Sequence, residues 1–66
     1  MQPHQQRVID EKKELNEKLS KLKTFIEVSP IFKSLHPDER NRLKHQFDVM
    51  TEYSNILSQR ITAFTE

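Results

Sequence analysis

The chain contains no cysteine, no glycine and no tryptophan. Without Cys there is no disulfide staple and no thiolate metal site. Without Gly, the tight hairpin turns, phosphate-cradling loops and dinucleotide fingerprints that require it are excluded; average usage would be roughly 7%. Aromatic residues are sparse, at 8%. No apolar run approaches the roughly 18 residues of a membrane span, and no apolar h-region follows Met1. The expectation is a soluble cytoplasmic protein with no membrane partner, beginning at its natural start. The net charge is only +1, so no overall polycation recommends nucleic acid.

What the chain does have is helical periodicity. Leu43, Phe47, Met50, Ser54, Leu57, Ile61 and Phe64 alternate four and three residues apart, and all but Ser54 are apolar. Val8, Leu15, Leu19, Leu22 and Ile26 form a matching line upstream, with Gln5 and Lys12 as polar members. Glu14–Lys18 and Glu17–Lys21 stand four apart in the favourable order. Pro3 suits a first helical turn, and so do Pro30 and Pro37, each preceded by a residue barred from the α region. Ser29 can cap a short turn carrying Ile31, Phe32 and Leu35. The fold class expected is therefore all-α. A single domain over residues 1–66 has a helix at about 3–27, a short helical turn at about 30–35 and a helix at about 37–64. The long helices pair as an antiparallel hairpin, and Thr65 and Glu66 fray.

A second apolar set lies off the seam. Val49, Ile56 and Ala63 follow a seven-residue period, Tyr53 is placed on the other flank, and Ile9 and Phe25 lie off the upstream line. So short a chain, with one face of each helix buried, barely offsets its ordering cost of about 1.5 kcal/mol per residue. The surplus is expected to meet another copy in a helical-bundle oligomer. The simpler reading is a wide seam covered by the short third helix.

Charge is segregated. Residues 18–45 carry seven basic and three acidic side chains, net +4, and the remainder nets −3. Folding the hairpin gathers Lys18, Lys21, Lys23, Lys33, Arg40, Arg42 and Lys44 toward one end, which suits a phosphate-bearing ligand or an acidic protein surface; the simpler reading is a solvated charged face. His4, His36 and His45 make no metal-ligand spacing, so no zinc or other cofactor is expected. The inward Glu-x-x-His pattern of di-iron bundles is missing, so Asp10, Glu11, Glu14 and Glu17 are read as facing water. Ser54 lacks an activating base and is read as a close helix contact or a buried hydrogen bond. No catalytic residue emerges, and the chain is read as a non-enzyme.

The strings PHQQRVIDEKKELNEKLSKLKTFI and IFKSL, with Arg42, Leu43, Gln46, Met50, Tyr53, Ile56, Leu57, Arg60, Ile61 and Phe64, resemble a family of very small proteins of tailed bacteriophages and prophages related to a crAss-like phage protein. The resemblance implies a helical phage accessory protein in the cytoplasm of an infected bacterium, with no catalytic motif. Two resembling pieces lack a core role. His4–Arg7 is polar, and Tyr53 and Arg60 share a helix face; in a hairpin Arg7 and Arg60 fall at one end. With Tyr53 they form a candidate site for an anion bearing a flat ring, such as a nucleotide, unless they only cap the bundle end. Three functions follow. One is blocking or sequestering a host protein in counter-defence; one is a sponge for cyclic-nucleotide or ADP-ribose-type immune signals; one is self-association alone.

Overall fold

The computed structural model describes residues 1–64, and the fraying expected at Thr65 and Glu66 lies outside them. Three helices run in order: α1 Pro3–Val28, α2 Pro30–Ser34 and α3 Pro37–Ala63. Each begins with one of the three prolines at its first turn, where the missing N–H costs nothing. Ser29 is the only residue between α1 and α2. It ends α1 by leaving the α region ahead of Pro30, and its hydroxyl oxygen then accepts from the Ile31 N–H at 3.2 Å. His36 repeats the device for α3, its Nδ1 accepting from the Asp38 N–H at 3.1 Å. Asp38 and Glu39 follow in the first turn, the end of the helix dipole that favours acids. The bounds differ from expectation by a residue: α1 reaches Val28 because only Ser29 is constrained by the proline, and Leu35 and Phe64 are caps.

The two long helices pack along their length as an antiparallel hairpin, and α2 folds against α1. Two contacts fix the alignment. Ser54 Oγ donates to Asn16 Oδ1 at 2.7 Å, and the Tyr53 hydroxyl donates to the Glu11 carboxylate. The seam is the one the periodicity marks. Val8, Leu15 and Leu57 are buried, and Leu19, Met50, Ile61 and Phe64 pack against them. Leu57 is fully buried. At the closed end Phe32 is buried and meets Phe25 edge to face, ring centroids 5.9 Å apart.

The result is a rod of 47 × 15 × 14 Å, with a radius of gyration of 15.0 Å against about 11 Å for a globule of this length. It exposes 5202 Å² at 7.9 kDa, where a folded monomer of that mass exposes about 4,400 Å². Val49 and Ile56 are each 50% exposed, Tyr53 is 38% exposed, and Val28 and Ile31 are exposed at the closed end.

Candidate functional site

α3 is an uninterrupted helix, so Val49, Tyr53, Ile56 and Arg60, four, three and four residues apart, lie on one face. This corrects the expectation that Tyr53 stands on the flank opposite Val49 and Ile56: at 100° per residue it falls between them and the seam. On α1, Arg7 lies one turn before Glu11 and shares its face. The Tyr53–Glu11 bond joins the two faces into one side of the hairpin. Arg7 and Arg60 then fall on that side and at the same level, toward the open end. Among the described residues, no acidic side chain pairs with either arginine; the arginine–carboxylate pair is Arg42–Glu39 at 2.8 Å.

The sequence pattern places Glu11 toward water. It is exposed, yet its carboxylate accepts the Tyr53 hydroxyl proton, because the antiparallel alignment brings a phenol within reach. That bond is the main reason the phenol is held above its ordinary value of 10.0; desolvation and the Glu11 charge add to it, and Arg60 opposes it. The neutral phenol is thus the favoured form in the fold. The stabilisation is complete below pH 10.0 and is lost as the pH rises through the elevated value. Tyr53 is the only tyrosine and there is no tryptophan, so phenolate absorbance reports this group alone. A spectrophotometric titration is expected to place the wild-type midpoint above 10.0 and to return it toward 10.0 in Glu11→Ala. Equal midpoints would remove the Tyr53–Glu11 contact from the solution structure.

The other sequence-derived candidates divide. Lys21 and Lys44 are exposed; Arg40 is half-buried; Arg42 is tied to Glu39 one turn away. They lie toward the closed end, away from Arg7 and Arg60, so one hairpin does not gather all seven basic and aromatic candidates. Of the residues assigned to an oligomer interface, Val49, Tyr53 and Ile56 form one patch. Ala63 is exposed further along α3. Phe25 is half-buried against Phe32, so the hairpin itself accounts for it. Ile9 is half-buried on the opposite side, where Ile9, Lys12, Asn16 and Ile61 frame an open groove of about 600 Å³. Its lysines, Lys12 and Lys13, stand beside Glu17, and no aromatic ring lines it. Sequence reasoning missed Asn16 and Glu11 as cross-helix partners. Both lie off the apolar seam, and only the pairing alignment identifies what they face. No group of three or more His, Asp or Glu suited to a metal occurs among the described residues, and no described helix is long and apolar enough to cross a membrane.

The family model described as Sequestin matches residues 2–63, a span that takes in all three helices. The chain belongs to the Sequestin family. No curated relative and no solved structure matches it. The Sequestin name is compatible with a sequestering role. The Tyr53 face carries two exposed arginines, one half-exposed aromatic ring and a strip of exposed apolar residues.

Proposed function

We propose that this Sequestin-family protein is a non-enzymatic sponge that sequesters a nucleotide-type anion on the Tyr53 face. The observation that carries the reading is the placement of Arg7 and Arg60 at one level beside Tyr53, with no acidic partner among the described residues. Guanidinium groups match phosphate oxygens as a planar fork, and a tyrosine ring offers a flat surface to a base. In the setting implied by the phage resemblance, the sequestered molecule is a cyclic-nucleotide or ADP-ribose-type immune signal in the cytoplasm of an infected bacterium. Stoichiometric capture needs no general base, no nucleophile and no cofactor, in keeping with a rod whose histidines make a cap and otherwise stand in solvent.

A second reading is a host protein held or blocked along Val49, Tyr53 and Ile56. It is favoured by their exposure, since surface apolar strips of this kind mark contacts with other chains.

A thermal-shift screen with cyclic di- and trinucleotides and ADP-ribose compounds tests the first reading. A bound compound at 100 times its dissociation constant adds about 2.7 kcal/mol, which raises the midpoint of so small a domain by roughly 10–20 °C. Silence across that panel, together with recovery of one stoichiometric host protein that Ile56→Glu releases, would transfer the assignment to protein blocking.

A further inference from the structure

We infer that the Glu11 carboxylate reads the base of the nucleotide held on the Tyr53 face, and that it selects a base carrying an exocyclic amine: adenine, guanine or cytosine over uracil or hypoxanthine. The inference rests on the sponge reading above and names the class of ligand held there.

A carboxylate at this place calls for a reason. Arg7 and Arg60 recommend the face to phosphate, and an acid one turn from Arg7 opposes it. Glu11 does not neutralise either arginine, since no ion pair among the described residues includes it. Its partner is the Tyr53 phenol, which donates to Oε2. An ionised carboxylate has two oxygens with about four lone-pair sites and donates nothing. The phenol fills one of those sites. Oε1 has no partner among the described residues, and the side chain is exposed.

The phenol also fixes where that open acceptor stands. Tyr53 belongs to the other long helix, so its bond holds the carboxylate across the hairpin. The hydroxyl projects from the rim of the ring, and Glu11 is therefore held at the rim. Bases recognised on aromatic side chains stack on the ring face and are read along their hydrogen-bonding edge. A base on Tyr53 presents that edge toward Glu11. Tyr53 titrates above 10.0, so the donor that holds the carboxylate is in place at neutral pH.

Spacing agrees. Arg7 lies four residues from Glu11 and Arg60 seven from Tyr53, about 6 Å and 10.5 Å along their helices toward the open end. A nucleotide laid along the rod with its phosphates at the arginines has its sugar over this interval and its base at Tyr53. The amine N–H groups of adenine, cytosine or guanine then donate to the open lone pairs of Glu11, as carboxylates accept from cytosine in duplex readers. A carbonyl oxygen in the same place, as in uracil or hypoxanthine, meets the carboxylate acceptor to acceptor. The acid thus weakens attraction for phosphate and supplies discrimination through an unfavourable contact with the wrong base.

Two matched pairs of probes test the assignment: cyclic di-AMP against cyclic di-IMP, and ADP-ribose against its analogue with unsubstituted purine in place of adenine. A carbonyl oxygen replaces the amine in the first pair and a hydrogen in the second, while the phosphates are unchanged. Isothermal titration of the wild-type chain is expected to give a dissociation constant at least about tenfold lower for the adenine member of each pair that binds, the loss of one hydrogen bond to a charged group. Glu11→Gln keeps the side-chain length and an oxygen to accept the phenol. Its preference is expected to fall to about twofold or less. The ratio within a pair is the readout, because removing an acid strengthens every phosphate ligand and that gain cancels in the ratio. Glu11 is exposed, so the variant is expected to keep the wild-type far-UV melt. Tight wild-type binding that is indifferent to the amine would overturn the assignment and leave the sponge reading standing. A preference that survives Glu11→Gln would overturn it by placing base recognition elsewhere. Binding of none of the four compounds would also overturn it, and silence across the wider nucleotide panel would reject the sponge reading as well.

Discussion

Leu57→Ala is expected to abolish cooperative folding of the isolated hairpin. Among the described residues, Leu57 is the one fully buried large side chain, and it sits where Val8 and Leu15 converge on α3. Truncating a buried leucine to alanine costs about 2–5 kcal/mol, through lost transfer free energy and the cavity left behind. A single core in a chain below about 70 residues rarely supplies more than roughly 3–5 kcal/mol. The substitution therefore removes most or all of the margin. Far-UV circular dichroism at low protein concentration is the measurement: wild type is expected to melt in a sigmoid, and the variant to lose helicity gradually from the start. Val49→Ala is the control. Val49 is half exposed in the hairpin, and surface changes of this kind fall within about 0.5 kcal/mol. A wild-type-like melt for Leu57→Ala would mean that the helices pair on another face. Low concentration matters because a pairing copy stabilises the folded chain by mass action and would mask part of the loss.

The seam was legible because its signal is repetitive. Val8, Leu15 and Leu57 are buried where the four-and-three spacing places them, and Ser54 occupies a seam position with its hydroxyl satisfied. The ends were legible because proline constrains its own φ and the residue before it, so Ser29-Pro30 and His36-Pro37 mark the breaks almost to the residue. The cross-helix partners were not. Asn16 and Glu11 are ordinary polar residues of an exposed helix face, and nothing local distinguishes them from Asn55 or Glu14. Their roles depend on which residue of α3 lies opposite, and a shift of one turn would change both partners. Phe25 shows the converse case. It lies off the upstream line, which points it to an oligomer interface, and the short α2 turns Phe32 back to meet it within one hairpin. Tyr53 stands out in the sequence as an unusual ring, and the flank first given to it is the wrong one. The helix period, applied residue by residue, settles that point without any tertiary information.

Arg7→Ala and Arg60→Ala are each expected to weaken capture of a nucleotide-type anion while leaving the fold intact. A hydrogen bond to a charged group is worth about 1.5–3 kcal/mol when its partner is removed, which corresponds to roughly 10–150-fold in affinity. Isothermal titration with whichever compound the thermal-shift screen identifies reads that loss, and thermal melts of the unliganded variants read the fold. Unliganded midpoints should match wild type, since both side chains are exposed and no acidic side chain pairs with them among the described residues. A lowered midpoint with unchanged affinity would show that the arginines cross-link the open end of the hairpin and hold nothing. Arg60→Lys refines the result. Lysine keeps the charge but loses the planar fork, so a site that grips phosphate through paired N–H groups should lose most of its affinity with this variant too. A site that relies on charge alone should retain affinity in Arg60→Lys and weaken as ionic strength rises, because exposed charges are screened over about 8–10 Å at physiological salt. Tyr53→Phe completes the comparison. It removes the hydroxyl that Glu11 accepts and keeps the ring, so if the ring stacks on a base, affinity should survive. Survival in Tyr53→Phe with loss in Tyr53→Ala would locate the recognition in the flat surface of the side chain, and the Glu11 bond would then serve to hold that surface in place.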